Sequence, residues 1–445
     1  MTGDHVILNA NILDLGISPA AWQLSELPKT SIASGDYFAD IGRLAERGTL
    51  DAVFLADNPS MSVDPLGKTF YRDNRSLEPT TILATIAAAT SRIGLIGTLS
   101  TTYNDPVELA ERTLALDHLS GGRAAWNAVT TASAGAGANF GLPANPDRSS
   151  RYRRADEFVD VVLSLWQAAI DGREITHRGE FFEFNGRLPL DGSPQGHPLI
   201  VQAGGSPAGR ELAGRTANAV FTAETTLAAG TEHYEHVKQI AQRHGRARSD
   251  IAILPGLITV IGSTHAEAVE RYETARELQE PNQELTVLGR QLGHDLSGYP
   301  IDEPFPQDAL TDPDNPNTFA ASLGFRESIV RGIGERLIAQ GRRYTLREAM
   351  REFGAGGHRR IIGTPEQVAD TIEEWFRAGA ADGFNIMPDA FPSGLEIFVD
   401  EVVPILRRRG LFRHEYTETT LRARWNRWTT SLSPGPRTAS ARQGV

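Results

Sequence analysis

The chain has 445 residues, a formal net charge of −12 and no cysteine. Net acidity argues against a nucleic-acid binder, whose affinity rests on clustered Lys and Arg. The lack of Cys excludes disulfides, thiolate nucleophiles, iron–sulfur clusters and Cys-ligated zinc.

With 40% hydrophobic residues the chain has the means to bury a core. No run approaches the ~18 uninterrupted apolar residues of a membrane span. The opening MTGDHVILNANIL lacks the basic flank and long apolar stretch of a signal peptide. A soluble, cytoplasmic protein is the expectation. Lys29, Lys68 and Lys238 are the only lysines among 44 basic residues, which reads as codon usage.

Residues 5–12 are β-rich and form the first strand. Residues 34–47 carry Phe38, Ile41, Leu44 and Ala45 at helical spacing, with Ser34 as N-cap. Residues 51–56 (DAVFLA) are a second strand ending at Asp57, and residues 58–74 are a loop rich in Pro and Gly. Residues 78–89 form a helix with Pro near its start.

The stretch 93–127 reads as strand, Pro-led helix, SGGR turn and strand. Two strands flanking a helix in one sheet imply parallel pairing and a right-handed crossover. Thr101, Thr102 and Asn127 stand just past or at the strand ends, where parallel α/β folds bind ligands.

Residues 127–149 form a long polar loop of the kind that is functional or mobile. Residues 150–169 are the clearest helix, with Tyr152, Ala155, Phe158, Val159, Val162, Leu163 and Trp166 on one face. Residues 177–194 make a short β excursion. Strands follow at 199–202, 217–222 and 251–261, the last with a bend or bulge at Pro255-Gly256. Helices are expected at 207 onward, 230–244 and 264–280. Residues 281–357 have short, weak helical patterns and read as an insertion. A helix at 363–379, a strand at 381–387 and a helix at 394–408 complete the series.

Eight strand-like runs alternating with helices favour a (β/α)₈ TIM barrel with insertions; an open α/β sheet is the alternative. The expected organisation is one barrel over residues 1–423, a lid-like insertion at about 281–357, and a disordered tail at 424–445.

Gly204-Gly205-Ser206 lies between a strand and a helix opened by Pro207. Glycines admit close approach, Ser206 adds a hydroxyl, and the helix start offers free N–H groups and partial positive charge, together a phosphate site. A tight, capped turn would use the same residues, so both readings stand. It is neither a P-loop nor a dinucleotide fingerprint. Arg148, Arg151 and Tyr152 open the strong helix, suiting the same phosphate or a solvated first turn. Asp57 is placed for a flavin ring or substrate, or for an ordinary turn. There is no HxH on the first strand and no HExxH, so metal-assisted hydrolysis is weakly supported and no metal is expected; without GxSxG there is no nucleophile elbow.

These residues sit in a longer ordered set: FLADN at 54–58, EPTTILATIAAATSRIGLIGTLSTTYNDP at 78–106, LDHLSGGRAAWNAVTT at 116–131, NFG at 139–141, RYRRADEFVDVVLSLW at 151–166, SPQGHPLIVQAGGSPAGRELA at 193–213 and GTPEQVAD at 363–370. The set resembles the bacterial luciferase-like flavin monooxygenases, in particular the group of nitrilotriacetate monooxygenase component A, dibenzothiophene-sulfone and long-chain alkane monooxygenases. The resemblance implies a barrel holding FMN non-covalently at the strand C-termini, with reduced FMN supplied by an NAD(P)H:flavin reductase. Oxygen would add to it, and the peroxyflavin would oxygenate a small organic substrate.

Carried over residue by residue, it implies that Asp57 and Thr102 touch the isoalloxazine region, and that Tyr152, Gly205 and Ser206 hold the phosphate. The residue four before Tyr152 is usually His in the group; here Arg148 is expected to take over that contact. Alkane-oxidising relatives use a His near Asn127 and this chain has none, so no catalytic residue is assigned. A homodimer or tetramer is implied. The insertion is the natural lid, and its Arg290, His294, Arg326, Arg331 and Arg336 either meet an anionic substrate or face water. A deazaflavin-dependent oxidoreductase of the same barrel superfamily is the alternative, and a flavin binder without chemistry is a third.

Overall fold

The computed structural model describes residues 5–18, 20–57, 59, 77–131, 136–279, 283–311, 323–354 and 358–426. The strands are β1 (Ile7–Ile12), β2 (Ala52–Leu55), β3 (Gly94–Ser100), β4 (Ala124–Val129), β5 (Ile175–Arg178), β6 (Glu183–Gly186), β7 (Leu199–Ala203), β8 (Ala219–Thr222), β9 (Ala252–Ile261), β10 (Arg359–Gly363) and β11 (Gly383–Pro388). β1, β2, β3, β4, β7, β8, β9 and β11 pair in that order, all parallel, and β1–β11 pairing closes the ring. This is the expected (β/α)₈ barrel. β5 and β6 form a separate antiparallel hairpin, the predicted β excursion.

The barrel interior follows from period-two alternation along each strand. Ile7, Phe54, Ile96, Ala125, Leu199, Val201, Ala219 and Leu254 share one apolar cluster inside the lower barrel. Two residues further along the same strands the inward positions turn polar. Asn9 Nδ2 donates to Asn385 Oδ1 (3.0 Å), and Asn127 Nδ2 donates to Thr98 Oγ1 (2.9 Å). The core is thus dry at the strand N-termini and polar towards their C-termini. Outward residues of the strands pack against the helices in two further clusters.

Several local expectations change. Ser34 precedes the helix Gly35–Arg47, but its side chain makes no capping hydrogen bond. Pro255-Gly256 produces no bulge. It marks the point where one edge of β9 passes from β8, paired to Pro255, to β10, paired from Leu257. A Cβ on Gly256 would lie 2.4 Å from His358 Nδ1, so the glycine makes room for that ring.

The insertion contains the 18-residue helix Leu323–Gln340, longer than its sequence pattern indicates. Gly332 and Gly334 lower its intrinsic propensity. Packing overrides this: Ile329 and Ile333 enter a local core with Leu288, Tyr344 and Phe353, and a Cβ at Gly332 would meet the Phe353 ring at 2.5 Å.

The chain is also ordered past residue 423, where a tail was expected. The helix Leu421–Asn426 carries Leu421 and Trp425 into the lower barrel cluster. Arg424, 2% exposed, donates to the carbonyls of Asp51 (2.7 Å) and Arg92 (2.6 Å). This segment plugs the N-terminal end of the barrel. Residues 427–445 lie outside the described residues. Among those described, no helix is long and apolar enough to cross a membrane.

Candidate active site at the barrel mouth

The open end of the barrel is built by the residues that follow each strand. β3 and β4 leave the barrel side by side in register, Ser100 opposite Val129. Their ends are stitched by hydroxyls. Thr101 Oγ1 donates to the Val129 carbonyl (3.1 Å) and Thr102 Oγ1 to the Thr130 carbonyl (2.8 Å). Ser100 Oγ accepts from the Thr102 N–H (3.1 Å) and from Thr131 Oγ1 (2.7 Å). Thr131 has a φ of +44°, a left-handed conformation that costs a β-branched residue about 1–3 kcal/mol. Strain of this kind is held in place by surrounding bonds and concentrates where the backbone is shaped for function.

On the neighbouring strand, Ser206 caps the helix Pro207–Thr216, its Oγ accepting from the Gly209 N–H (3.2 Å). The same Oγ donates to Tyr152 Oη (2.9 Å). Tyr152 is one turn into the helix Arg148–Asp171, which Asp147 caps. Two helix N-termini therefore converge on one pair of hydroxyls. Gly209 must be small, because a Cβ there would lie 3.0 Å from Tyr152 Oη. Arg148 is exposed and shares the helix face of Tyr152 by the i, i+4 relation. Arg210 Nε donates to the Gly205 carbonyl (2.7 Å) and fixes the glycine turn from the other side.

Asp57 is half-buried just beyond β2. Asp57, Thr102, Thr131 and Ser206 thus follow four consecutive strands, β2, β3, β4 and β7. At about 4.8 Å per strand the row covers roughly 14 Å of arc, the scale of an extended flavin mononucleotide. The predicted residues lie on one rim, with Tyr152, Gly205 and Ser206 in one cluster. Three buried acceptors, Asn11 Oδ1, Asn127 Oδ1 and Gln202 Oε1, have no hydrogen-bond partner on the protein. Buried polar atoms ordinarily find partners, so the mouth is prepared for a polar guest. The paired hydroxyls, the glycine turn and two helix starts fit the phosphate of a flavin.

Two aromatic residues of strands that lead to the mouth belong to the core. Trp126 points outward, packs on Phe158 and Trp166, and donates Nε1–H to the Leu99 carbonyl (3.1 Å). Phe54 is inside the barrel, edge-on to Phe221 at 5.3 Å. Residues 136–149 fold back over the rim: Tyr103 stacks on Phe140 (4.5 Å between centroids), and Asn139 Nδ2 donates to the Pro59 carbonyl (2.6 Å).

The model of the luciferase-like monooxygenases matches residues 20–382. The chain belongs to the luciferase-like monooxygenase family. It is 39% identical over 437 residues to the N-acetyl-S-(2-succino)cysteine monooxygenase of Bacillus subtilis, covering 94% of this chain and 96% of that one. It is 39% identical over 434 residues to nitrilotriacetate monooxygenase component A of Aminobacter aminovorans, covering 92% and 93%. A solved riboflavin lyase, bound to modified FMN and riboflavin, superposes with a TM-score of 0.77 at 29% identity, covering 95% of both chains. This luciferase-like monooxygenase is therefore a flavin-dependent oxidoreductase.

A cavity of about 240 Å³, unmarked by any motif in the sequence, lies beside the glycine turn. Its lining includes Gly204, Gly205, Arg210, Glu224, His233 and His358. His358 stacks on Phe221 at 5.1 Å with the rings 9° apart. Burial pushes its imidazole down to about 4, against the opposing pull of Glu224, so it is neutral at pH 7. The insertion helix covers the cavity: Ser328 Oγ accepts from the Thr225 N–H (3.0 Å), and Arg331 pairs with Glu232 (2.5 Å). Of the other insertion cations, Arg326 is buried on the Leu292 and Thr311 carbonyls and Arg336 pairs with Glu352 at the surface. A glutamate two residues past a strand end, as Glu224 is past β8, was the available sequence signal.

Proposed function

We propose that this luciferase-like monooxygenase is the oxygenase of a two-component system. It binds FMN non-covalently, receives it reduced from a separate NAD(P)H:flavin reductase, and places one oxygen atom from O₂ on a small organic substrate. The observation that carries this reading is the Ser206–Tyr152 hydroxyl pair, set between two helix starts and beside a glycine turn. The likeness to a protein named as component A of its system supports a separate partner component. We place the pair in the cytoplasm, and the oxygenase as a homo-oligomer.

In this reading Ser206, Tyr152, Gly205 and Arg148 hold the phosphate, through two hydroxyls, open backbone and one guanidinium. Asp57 and Thr102 orient the ring end, three and two strands away along the rim. Reduced FMN supplies the oxygen-activating chemistry when bound. The protein's part is to hold flavin and substrate together and to keep water out, since a wet site would release reduced oxygen unproductively. The insertion at 281–357 acts as the lid, and its helix Leu323–Gln340 meets the turn after β8 through Ser328 and the following helix through Arg331.

Two titrations test this. Oxidised FMN should lose fluorescence on binding, and photoreduced FMN mixed with O₂ on the protein should return to the oxidised absorbance more slowly than free flavin. Binding of neither form of FMN, or preferential binding of a deazaflavin, would overturn the proposal.

A further inference from the structure

The hydroxyls at the ends of β3 and β4 are not equivalent. Thr101 Oγ1 and Thr102 Oγ1 bond to the Val129 and Thr130 carbonyls, which can only accept. Both protons are spent on the backbone, and both side chains are buried. Ser100 Oγ differs, because it faces three donors. These are the N–H of Thr102 (3.1 Å), the N–H of Tyr103 (3.2 Å) and Thr131 Oγ1 (2.7 Å). A hydroxyl oxygen has two lone pairs. The two N–H groups suffice to fill them and are fixed by the backbone, whereas hydroxyl protons rotate. Ser100 can therefore turn its own O–H to Thr131 Oγ1, and the Thr131 proton is then released from the protein.

The strands say where that proton goes. Ile96 belongs to the apolar cluster inside the barrel, so the period of two puts Thr98 and Ser100 of β3 inside as well. Thr131 Oγ1 contacts this inward hydroxyl and is half-buried at the open end. The buried atoms without partners inside this end of the barrel, Asn11 Oδ1 and Asn127 Oδ1, are acceptors. Thr102 Oγ1 has only lone pairs left. Of the four hydroxyls in this network, Ser100, Thr101, Thr102 and Thr131, the last is the one with a proton to give. The backbone points the same way. At a φ of +44° a glycine would sit without strain, and what threonine adds over glycine here is its hydroxyl.

We propose that Thr131 is the ring-end donor of the site: its Oγ1–H, released by Ser100, bonds an acceptor on the isoalloxazine ring, and Thr102 contributes only a lone pair beside it. The inference rests on the oxygenase reading, which puts the ring at the ends of β2 and β3, next to β4. A flavin ring carries both N–H groups and carbonyls. The acceptors of the barrel suit the former, and Thr131 suits the latter. Thr131 is then a ring-binding residue that sets how the ring lies over the barrel, and its strained backbone holds the hydroxyl in place.

The test uses oxidised FMN on the full chain, with two readouts. Fluorescence titration gives the affinity, and the visible absorption bands at saturating FMN report hydrogen bonding to the ring. Thr131→Val removes the hydroxyl and keeps the β-branched shape. Thr131→Gly removes hydroxyl and strain together, and Thr131→Ser keeps the hydroxyl. Thr131→Val and Thr131→Gly should bind FMN about three- to tenfold more weakly, the worth of one neutral hydrogen bond, with bands moved towards those of unbound FMN. Thr131→Ser should stay within about twofold of the wild type and keep its bands. Thr131→Gly should unfold at a urea concentration no lower than the wild type, because strain relief offsets the lost bond to Ser100. It therefore decides the matter even if Thr131→Val fails to fold. Wild-type affinity and bands in Thr131→Gly would overturn the proposal. Weaker affinity with unmoved bands would overturn it too, by placing the loss away from the ring, as Tyr152→Phe should do at the phosphate. Failure of the wild type to bind FMN would instead overturn the oxygenase reading, and this inference with it.

Discussion

Ser206 Oγ and Tyr152 Oη meet at 2.9 Å, and this single contact joins the end of β7 to the first turn of the helix Arg148–Asp171. Neither hydroxyl is needed to close the barrel, whose strands pair through their backbones. Tyr152 Oη accepts in this contact, which leaves its own O–H to an anion, and Ser206 can turn its O–H from Tyr152 to the same anion. Tyr152→Phe should raise the FMN dissociation constant about tenfold or more, the usual worth of a hydrogen bond to a charged group, and leave thermal stability nearly unchanged. Ser206→Ala should do the same and also cost about 1 kcal/mol of stability, because it removes the cap on the Gly209 N–H. Fluorescence titration and urea unfolding separate the two effects. An unchanged FMN affinity in both variants would remove the phosphate from this position.

At the opposite end, Trp425 and Leu421 fill the lower barrel, and Arg424 satisfies two backbone carbonyls there. Removing the indole leaves a cavity in a packed interior. Trp425→Ala should cost about 3–5 kcal/mol. Arg424→Met should cost about 1–3 kcal/mol by leaving the Asp51 and Arg92 carbonyls unpaired. Because the plug is remote from Ser206, the surviving folded fraction should bind FMN as the wild type does. Urea midpoints with an FMN titration check both statements, and a Trp425→Ala variant as stable as the parent would mean that the segment only covers the barrel.

The eight strands were legible because each is a short apolar run between turn signals, and their alternation with helices admits few topologies. Ser206 and Tyr152 were legible because helix starts carry composition cues. The plug was not. Leu421 and Trp425 are only two apolar residues among Arg, Asn and Thr, and their burial depends on a barrel floor that no local pattern reveals. The Glu224–His233 contact (3.0 Å) in the cavity wall was hidden similarly, since eleven scattered histidines give no reason to prefer one. The helix Leu323–Gln340 was obscured by glycines that serve packing against Phe353.

Acid should destabilise the fold through its buried neutral histidines. Burial and the Arg422 charge lower His197 from 6.5 to about 4, and burial lowers His358 similarly. A depressed folded value stabilises above the unfolded pKa, and the contribution is lost as pH falls through about 4, roughly 3 kcal/mol at most for each ring. Asp117 opposes this. Burial raises it from 3.8 to about 6 despite its bonds to Ser193, Ala124 and Gln195, so its contribution is full below 3.8 and lost as pH rises through 6. Unfolding free energies measured between pH 7 and 4 should fall in the wild type, less steeply in His197→Gln and more steeply in Asp117→Asn. A flat wild-type profile would contradict the assignment of neutral buried imidazoles.

Lys238 is one of three lysines in an arginine-rich chain, and its position gives a reason beyond codon usage. Its Nζ meets three acceptors: Asp382 Oδ2 (2.7 Å), the Ile251 carbonyl (2.5 Å) and the Arg248 carbonyl (2.9 Å). An ammonium has three N–H donors on one atom, whereas a planar guanidinium could not reach this set. Asp382 also accepts from Tyr234 Oη (2.9 Å) and from the Ile253 N–H (2.8 Å), so the pair ties the helix Leu227–Arg243 to the start of β9 and β11. Both side chains are under 10% exposed. Lys238→Met should cost about 3–5 kcal/mol, because it leaves a buried carboxylate uncompensated. Adding Asp382→Leu should recover part of that loss, since the uncompensated charge leaves with it, although the Ile253 N–H and Tyr234 then lack their acceptor. A double-mutant cycle by urea unfolding measures the coupling, and additive single-variant losses would show that the two residues act separately.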